Sequence, residues 1–326
     1  MRTCVTSIQT PPNLSTHGLG FDCEVGGDGG YVWWYVDALS DNGIHGLTMI
    51  AFIGSVFSPY YAWSNWADPL QHCAINVALY RLDGAGGRWA MTERGAKSVS
   101  RGASHFTVGP SSLRWENGTL IADINEITMP IPSRLTGRIC LTPQVQTNAE
   151  ITLDTHGHHL WRPLAPRARI ELSFNSPNLH WSGDGYFDSN SGIEPLERAF
   201  KTWHWGRAHC PDDVRLFYDV NRRDGTRSQL ALKVDKLGCV DAVSSLPVQS
   251  LASTFWRIDR TAWTDPATSI QVTKTLEDTP FYARSALKTH VDGQKVTMMH
   301  ESLNLDRLKS PIVRAMLPFR MPRRSF

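Results

Sequence analysis

The distribution of apolar and polar positions along the chain predicts β-strands almost throughout. Some runs alternate apolar and polar residues, as in a strand with one buried face, and others are rich in β-branched and aromatic residues. The clearest runs are YVWWYV at residues 31–36, LTMIAFI at 47–53, CAINVALY at 73–80, RIELSF at 169–174 and VRLFYDV at 214–220. A weak helical pattern occurs at residues 305–317, where Pro311 interrupts it. Because no amphipathic helices alternate with the strands, we expect an all-β fold and not a doubly wound α/β fold.

Asn-Gly and Asp-Gly dipeptides predict tight turns between these strands. Asn117-Gly118 separates SLRWE from TLIADI, and Asp292-Gly293 separates ALKTHV from QKVTMMHE. Both dipeptides accept the positive φ angles of a type I′ turn, so each predicts a β-hairpin. Further turns are expected at residues 83–84 and 224–225, which are also Asp-Gly.

The length of 326 residues favours two β domains, because a single sandwich or barrel is usually shorter. Gly, Asp, Asn, Ser and Pro cluster at residues 183–197, and we use this composition shift to predict domains of residues 1–192 and 193–326. Twelve Trp residues match twelve Phe residues, and indole rings commonly line apolar cavities. A closed antiparallel barrel can enclose such a cavity around one small hydrophobic ligand. Alternatively, the aromatic residues fill two ordinary cores.

Charge and cysteine content exclude several classes of protein. Lys+Arg 33 and Asp+Glu 31 leave a formal charge of +2, which argues against a nucleic-acid partner bound by bulk positive charge. The six cysteines are scattered without a CxxC pair, and the N-terminal residues lack the apolar core of a signal peptide. We therefore expect reduced thiols in a cytoplasmic protein. The most apolar stretch, residues 46–59, is too short to span a bilayer.

Three histidines in THGHHLW, His156, His158 and His159, could suggest a zinc site. Neither a cysteine pair nor an HExxH motif accompanies them, so we interpret them as surface or hydrogen-bonded histidines and expect no metal.

Two pairs of residues are candidates for a common site. His159 and Trp161 are two positions apart, as are Tyr186 and Asp188, and residues i and i+2 of a strand project to the same face. If both faces line one cavity, an imidazole, an indole, a phenol and a carboxyl group converge there. Such pairs also arise by chance, and Asp188 lies in a Gly-rich stretch where Asp often serves a turn. The pattern alone leaves both interpretations open.

Several long segments resemble acyclic carotenoid 1,2-hydratase, also called hydroxyneurosporene synthase, of phototrophic bacteria. They are GGYVWWYVDALSDNGIHGLTMIAFIGSVFSPYYAW at 29–63, DPLQHCAINVALY at 68–80, RWAMTERG at 88–95 and GDGYFDSNSGIEPLERAFKTWHWGRA at 183–208. The resemblance covers most of residues 21–207 and is looser beyond residue 210. Because the wider group is similar to lipocalin-like proteins, the resemblance implies two consecutive lipocalin-like antiparallel β-barrel or sandwich domains with little helix.

The resemblance further implies cofactor-independent addition of water to the terminal C1–C2 double bond of an acyclic carotenoid such as neurosporene or lycopene. The family's proposed acid falls on Asp188, with Tyr186, His159 and Trp161 as supporting residues. Asp188 would protonate C2, and water would trap the tertiary C1 cation. Burial in an apolar cavity would raise the pKa of Asp188 above the ordinary value of about 3.9. His159 would orient the acid or act as a base, and the face of Trp161 or Tyr186 would stabilise the cation.

Other polar residues in the matching segments offer alternatives. Asp184 and Glu194 are the nearest alternative acids. Arg207 and the run of residues 203–205, which is Trp-His-Trp, also match, although packing at a strand end explains them as well.

Because carotenoids dissolve in membranes, we expect peripheral binding at the cytoplasmic side of a bacterial inner or photosynthetic membrane. Residues 307–326 contain six cations and no acidic residue, a composition that suits either anionic lipid or a solvated tail. The cations are Arg307, Lys309, Arg314, Arg320, Arg323 and Arg324. Two other functions remain open, a lipocalin-like carotenoid or isoprenoid carrier without catalysis, and a polyene cyclase or Diels–Alder-type enzyme of the same fold. A carrier would form no product, and a cyclase would leave the substrate mass unchanged.

Overall fold

The computed structural model describes residues 20–84 and 86–324, and strands form most of this part. The all-β prediction is confirmed. The strands are β1 (Tyr31–Ser40), β2 (His45–Ile53), β3 (Cys73–Arg81), β4 (Arg88–Arg94), β5 (Val99–Gly102), β6 (His105–Val108), β7 (Ser111–Glu116), β8 (Thr119–Ile127), β9 (Arg134–Val145), β10 (Ile151–Thr152), β11 (His159–Ser176), β12 (Leu179–Gly192), β13 (Phe200–His209), β14 (Asp213–Arg222), β15 (Arg227–Asp235), β16 (Val240–Ala242), β17 (Val248–Ser250), β18 (Thr261–Trp263), β19 (Gln271–Asp278), β20 (Tyr282–Val291), β21 (Gln294–Asn304) and β22 (Arg323–Arg324).

The helices are short. They are α1 (Pro59–Trp63), α2 (Leu196–Ala199), α3 (Leu305–Leu308) and α4 (Pro311–Met316), with 3₁₀ turns at Pro69–Gln71, Ala96–Ser98 and Leu317–Phe319. The weak helical pattern at residues 305–317 thus forms α3 and α4, and Pro311 begins α4, where its missing N–H costs no helical hydrogen bond. No helix among the described residues combines the length and apolarity needed to cross a bilayer.

The described residues form two compact units, which we call the N-terminal unit and the C-terminal unit. The N-terminal unit contains residues 20–195 and 315–324, and the C-terminal unit is Leu196–Arg314. The predicted domain boundary after residue 192 stays a prediction, and the division between the units falls after Pro195.

One sheet of thirteen strands forms the N-terminal unit. Its order is β22-β4-β3-β2-β1-β12-β11-β9-β8-β7-β6-β5, and β10 pairs with β11 beside this path. Neighbouring strands are antiparallel except β22 and β4, which are parallel. This order brings β12 between β1 and β11, although most of the unit's sequence separates β1 from β12.

The Gly- and Asp-rich segment near the predicted boundary is largely a central strand. Residues 183–192 lie within β12. At Gly183 a Cβ atom would lie 1.9 Å from the carbonyl oxygen of Leu39, so glycine permits the close approach of β1. Gly183 therefore serves strand packing, and the composition of this segment does not mark a long flexible connection.

Both faces of the central strands are buried. Trp34 of β1 and Phe187 of β12 belong to the apolar core of the N-terminal unit. Because successive side chains of a strand alternate between faces, Tyr35 and Asp188 project to the opposite face. This second face is also buried, and it contains the candidate site.

A seven-stranded sheet with the order β16-β15-β14-β13-β21-β20-β19 forms most of the C-terminal unit, and β17 pairs with β18 separately. The apolar core of this unit surrounds Trp263, which stacks on Phe217 with ring centroids 5.0 Å apart.

Both predicted hairpins are confirmed. Asn117 and Gly118 connect β7 to β8 with φ angles of 49° and 77°, and Asp292 and Gly293 connect β20 to β21 with φ angles of 50° and 75°. Positive φ angles at both central residues are those of a type I′ turn. The two other Asp-Gly dipeptides also lie in connections between paired strands.

Among the described residues, the cysteines follow the predicted reduced state with one exception. Cys23, Cys73, Cys140 and Cys210 are free thiols. Burial raises the pKa of Cys73 to about 12 and that of Cys210 to about 12, so both are protonated at pH 7. Cys239 is disulfide-bonded, and the expectation of a reduced thiol is wrong at this position.

Candidate active site

Asp188 lies on β12, on the face opposite the apolar core of the N-terminal unit. The strand register places it across from Tyr35 of β1, and β11 flanks β12 on its other side. Only 4% of Asp188 is exposed. The carboxyl group therefore belongs to a buried strand and not to a turn, and it needs hydrogen-bond donors to offset its lost hydration.

Two aromatic side chains supply those donors. The indole N–H of Trp161 donates to Oδ2 of Asp188 over 2.9 Å, and the Tyr186 hydroxyl donates to the same oxygen over 2.8 Å. Trp161 and Tyr186 are fully buried. The pairing of β11 with β12 thus brings together the predicted indole, phenol and carboxyl group.

His159 lies at the start of β11, towards one end of the same face. The register pairs it with Gly192, four residues beyond Asp188 and therefore about 13 Å farther along the strand. Its Nδ1 is 2.9 Å from the Tyr31 hydroxyl, and its Nε2 is 3.5 Å from Oε1 of Glu194. His159 therefore contacts a second polar group, centred on Tyr31 and Glu194.

Burial favours the neutral form of His159, and Asp154 holds its backbone in place. Burial lowers the pKa of His159, although the negative charges of Asp154 and Glu194 act in the opposite direction. Asp154 accepts the backbone N–H of His159 over 2.9 Å and that of His156 over 3.0 Å. Burial alone would raise the pKa of Asp154, but these hydrogen bonds outweigh burial and lower it. Asp154 is therefore an anion that fixes the start of β11.

Gly192 makes room for the hydrogen bond between Tyr31 and His159. A Cβ atom at this position would lie 2.5 Å from Cε1 of Tyr31 and 2.8 Å from Nδ1 of His159. Sequence analysis missed Tyr31, although its period-2 spacing from Trp33 and Tyr35 in YVWWYV indicates that these residues share a face.

A row of aromatic rings extends from His159 along this face. Ring centroids are 5.9 Å apart for His159 and Tyr31, 5.1 Å for Tyr31 and Trp33, 6.2 Å for Trp33 and Phe52, and 5.9 Å for Phe52 and Phe57. The row follows β1 and β2 into the loop after β2. Such a row offers extended apolar contact to a flat, conjugated ligand.

Comparison with known sequences identifies the family. The model of the carotenoid hydratase CrtC matches residues 49–326. The chain belongs to this family. It is 51% identical over 310 residues to the acyclic carotenoid 1,2-hydratase of Thiocapsa roseopersicina, covering 94% of this chain and 76% of that protein. It is 43% identical over 277 residues to the acyclic carotenoid 1,2-hydratase of Cereibacter sphaeroides, covering 85% of this chain and 98% of that protein. The family resemblance in the sequence is confirmed.

Solved structures are similar to this carotenoid hydratase family member in fold. A putative AttH from Nitrosomonas europaea has a TM-score of 0.61 and 16% sequence identity, covering 84% of this chain and 92% of that chain. Kievitone hydratase from Nectria haematococca has a TM-score of 0.54 and 10% identity, covering 85% of this chain and 90% of that chain. At these identities the likeness concerns the fold alone, and it confirms the predicted lipocalin-like architecture.

The other candidates near β12 differ in surroundings. Asp184 is an exposed residue of β12. Glu194 lies 3.4 Å from Nδ1 of His158, in addition to its contact with His159. The rings of His156 and His158 are 5.5 Å apart. Among the described residues of this hydratase family member, no group of three or more His, Cys, Asp or Glu side chains is arranged to hold a metal ion.

The Trp-His-Trp run and Arg207 lie on β13 of the C-terminal unit. Trp203, Trp205 and Arg207 alternate with His204, and all four are buried. Nδ1 of His204 is 2.8 Å from the Ser302 hydroxyl. Burial lowers the pKa of His204 to about 4, so this imidazole is neutral at pH 7.

Proposed function

We propose that this protein is a carotenoid 1,2-hydratase, a hydro-lyase that adds water across the terminal C1–C2 double bond of acyclic carotenoids. The substrates would be neurosporene, lycopene and similar polyenes, and the products would be 1-hydroxy-1,2-dihydro carotenoids. Family membership and the names of two relatives at 43% and 51% identity support this activity. The observation that supports the chemistry is the buried Asp188 carboxyl group with two aromatic donors on one oxygen.

In the proposed first step, Asp188 protonates C2 of the substrate. Because Trp161 and Tyr186 both donate to Oδ2, that oxygen acts as the acceptor, and we assign the transferable proton to Oδ1. Burial disfavours the charged carboxylate, which suits a group that must carry a proton before each turnover. Protonation at C2 leaves the positive charge on the tertiary carbon C1.

In the proposed second step, the cation is stabilised until water adds to C1. The Asp188 carboxylate provides a negative charge, and the same two hydrogen bonds stabilise it after proton transfer. A neighbouring aromatic face, that of Trp161 or Tyr186, would contribute about 2 kcal/mol through a cation–π interaction in a desolvated site. A proton leaves the added water, and we assign neutral His159 to the base side of the reaction.

This mechanism uses no cofactor or metal, because proton transfer to carbon is assigned to Asp188 itself. Cofactor independence is part of the proposal. Adding EDTA to the assay tests it, and a loss of turnover that Mg²⁺ or Zn²⁺ restores would contradict it.

The main test is incubation of the purified protein with neurosporene or lycopene in detergent micelles, followed by mass-resolved chromatography. We expect a product heavier by one water. Asp188→Asn should lower turnover by about 10²-fold or more, because general acid catalysis is typically worth 10²–10⁴-fold. Asp184→Asn is the matched control, since Asp184 is an exposed carboxylate on the same strand, and it should retain turnover.

The same assay distinguishes the alternative functions. Unchanged pigment that co-purifies with the protein would favour a carrier, and a product of unchanged mass would favour a cyclase or Diels–Alder-type enzyme. If Asp188→Asn retained turnover and Asp184→Asn abolished it, the acid would be Asp184.

We also propose that the protein binds the cytoplasmic side of the inner or photosynthetic membrane peripherally, where its substrate dissolves. Most cations of residues 307–326 have partners within their own unit: Arg307 donates to the Trp256 carbonyl, Lys309 pairs with Asp306, Arg314 with Glu197 and Arg323 with Glu93. Residues 307–324 therefore do not act as a free basic tail, and the support for lipid binding comes mainly from a cavity in the N-terminal unit.

That cavity has a volume of about 270 Å³ and is lined by Arg94, Arg134 and Arg324, among other residues. Glu126 neutralises Arg94 through two hydrogen bonds of 2.9 Å. Arg134 and Arg324 are exposed, and no carboxylate of the described residues forms a salt bridge with either. Ile131 is 80% exposed on the connection just before Arg134, so an apolar side chain accompanies the charges. The combination suits an anionic phospholipid headgroup.

Vesicle co-sedimentation tests this proposal. We expect binding to phosphatidylcholine vesicles that contain phosphatidylglycerol, and about 30-fold weaker binding for Arg134→Ala combined with Arg324→Ala, since each basic residue near such a surface contributes about 1 kcal/mol and about 1.4 kcal/mol corresponds to a factor of ten. Arg81→Ala removes an exposed arginine that is paired with Asp83 and should bind like the wild type. Equal binding to vesicles without phosphatidylglycerol would contradict the proposal.

A further inference from the structure

Asn190 is a buried polar residue beside the candidate acid. It lies on β12 two positions beyond Asp188, so both side chains project to the same face, and their Cα atoms are about 6.8 Å apart. Only 3% of Asn190 is exposed. At this spacing the amide and the carboxyl group are close enough to contact one small group between them.

Two tryptophans flank Asn190 in the sheet. The register pairs Asn190 with Trp161 of β11, and the indole N–H of Trp161 reaches Oδ2 of Asp188 over 2.9 Å. The Trp161 ring thus extends from the position of Asn190 towards the acid. On the other side Asn190 pairs with Trp33 of β1, which is also buried. The amide and the carboxyl group therefore share one buried aromatic environment.

The side-chain amide N–H₂ of Asn190 has no hydrogen-bond acceptor among the described residues. A buried amide without a partner is destabilising, because it has lost its hydration without a compensating hydrogen bond. Asn76 of β3 shows the usual arrangement, since its buried Nδ2 donates to the Ala90 carbonyl over 3.1 Å. The Asn190 amide thus indicates a ligand that accepts a hydrogen bond at the face of the candidate acid.

The chemistry of hydration identifies this ligand. The reacting end of an acyclic carotenoid is a hydrocarbon, which offers no oxygen or nitrogen acceptor, whereas the oxygen of water has two lone pairs. One lone pair can accept the Asn190 N–H while the other points at carbon. An amide N–H₂ group donates hydrogen bonds without changing its charge, so it can hold a water molecule without protonating it.

We propose that Asn190 binds the water that attacks C1. Asp188 first transfers its proton to C2, and the oxygen held by Asn190 then forms the C1–O bond with its second lone pair. One proton leaves that oxygen, and Asp188 regains one proton before the next turnover, so the net reaction adds one water. Asn190 itself gives and takes no proton. This inference rests on the hydration proposed above.

In this role Asn190 is a catalytic residue, because it contacts the reacting oxygen. It was not a predicted site residue in the sequence analysis, although its spacing of two from Asp188 places both residues on one strand face.

The test separates protonation of C2 from the addition of water. The purified protein is incubated with neurosporene in micelles prepared in D₂O, and mass-resolved chromatography measures both hydrated product and deuterium in the recovered substrate. When Asp188 has delivered a deuteron to C2 and no water adds, loss of a proton from C2 restores the double bond with deuterium in place of hydrogen. Deuterium exchange therefore reports the first step, and hydrated product reports the second.

Asn190→Val removes the amide and places a β-branched apolar residue in a buried strand. Hydrated product should fall by about 10²-fold, the effect of misplacing a reacting group by about 1 Å, and the ratio of deuterium exchange to hydration should rise by about tenfold or more. Asn190→Thr has the shape of valine with a hydroxyl donor, so it should recover part of the hydration. Because the amide is unpartnered, Asn190→Val should unfold at the same urea concentration as the wild type or at a higher one.

Asn76→Val is the matched control. It also removes a buried amide from a strand of the N-terminal unit, but this amide is hydrogen-bonded to the Ala90 carbonyl. The control should therefore unfold at a lower urea concentration and keep the wild-type ratio of deuterium exchange to hydration.

Three results would overturn the role of Asn190 while hydration stands. They are a wild-type ratio of exchange to hydration in Asn190→Val, equal hydration by the valine and threonine variants, and a lower urea midpoint for Asn190→Val, which would show that the amide stabilises the fold. Absence of both hydrated product and deuterium exchange with the wild type would instead remove the proposed function itself.

Discussion

At the scale of single residues, the candidate site depends on the lack of a side chain at Gly192 as well as on the polar side chains around it. Gly192 lies opposite His159 on the paired strand and next to Tyr31. Because two polar groups occupy the space where a Cβ atom would stand, this glycine is required for their contact. Gly185, on the same strand, has no atom closer than 3.5 Å to its hypothetical Cβ.

We therefore predict different outcomes for two single-methyl changes in β12. Gly192→Ala should displace Tyr31 or His159 and lower turnover by about 10²-fold, the effect of misplacing a catalytic group by about 1 Å. It should also lower the free energy of unfolding by about 1–3 kcal/mol through overpacking. Gly185→Ala should change both quantities little. Carotenoid turnover and urea denaturation measure the two effects, and equal behaviour of the variants would contradict this account of Gly192.

At the scale of elements, the short parallel strand β22 attaches residues 315–324 to the rest of the N-terminal unit. Residues of β22 pair with β4, and Arg323 forms an ion pair with Glu93, whose side chain is 2% exposed. Glu93 also lies 2.8 Å from Nδ1 of His72, and the Tyr61 ring stacks on His72 with centroids 4.7 Å apart. A buried carboxylate is thus shared between an arginine and a histidine.

Arg323→Ala should lower the free energy of unfolding by about 3 kcal/mol, because it leaves the buried Glu93 carboxylate without its guanidinium partner. The neighbouring Arg324→Ala is the control. Arg324 is exposed, so its replacement should change the free energy of unfolding by no more than about 0.5 kcal/mol. Denaturation curves of the two variants provide the comparison, and equal midpoints would show that the Glu93 pair contributes nothing to attachment of β22.

At the scale of the whole molecule, both units contain buried polar groups. In the C-terminal unit they include two neutral histidines beside the apolar core. His204 and His300 lie with ring centroids 6.2 Å apart, and Nε2 of His300 is 2.8 Å from the Thr261 carbonyl. Burial lowers the pKa of His204 to about 4 and that of His300 to about 3.

These values predict that the C-terminal unit loses stability in acid. Unfolded histidines bind protons below a pH of about 6.5, and the folded ones do not until pH 3–4. Between these limits the unfolded state binds more protons, so the free energy of unfolding falls as pH falls, by about 1.4 kcal/mol per pH unit for each histidine. Urea denaturation between pH 7.5 and 5 measures the slope.

His204→Gln should reduce that slope by the contribution of one histidine. His180→Gln is the control and should leave the slope unchanged, because His180 is exposed on β12. A slope that is the same in the His204 variant and the wild type would contradict a neutral, buried His204.

The local sequence pattern was sufficient to predict the features that depend on a single strand or a single turn. The alternation of side chains along a strand is a property of the backbone, so the shared faces of His159 with Trp161 and of Tyr186 with Asp188 could be predicted from spacing. The hairpin at Asn117-Gly118 followed from the φ angles that these two residues tolerate. The helical segment around Pro311 likewise followed from local preference.

The pairing of strands in the folded sheet decided which distant residues come into contact, and the spacing of residues in the sequence could not predict this. Tyr31 and His159 are 128 residues apart in sequence, and their contact exists because β12 lies between β1 and β11. The glycines of β12 resemble turn residues in the local sequence, yet Gly183 and Gly192 permit close contacts inside a sheet. The sequence by itself thus determined the strands, the all-β class, the family resemblance and the residues on each strand face, because these depend on local backbone geometry and residue type. Only the tertiary structure decided which faces meet and which partners hold Asp188 and His159, because long-range strand order is set by the packing of the whole sheet.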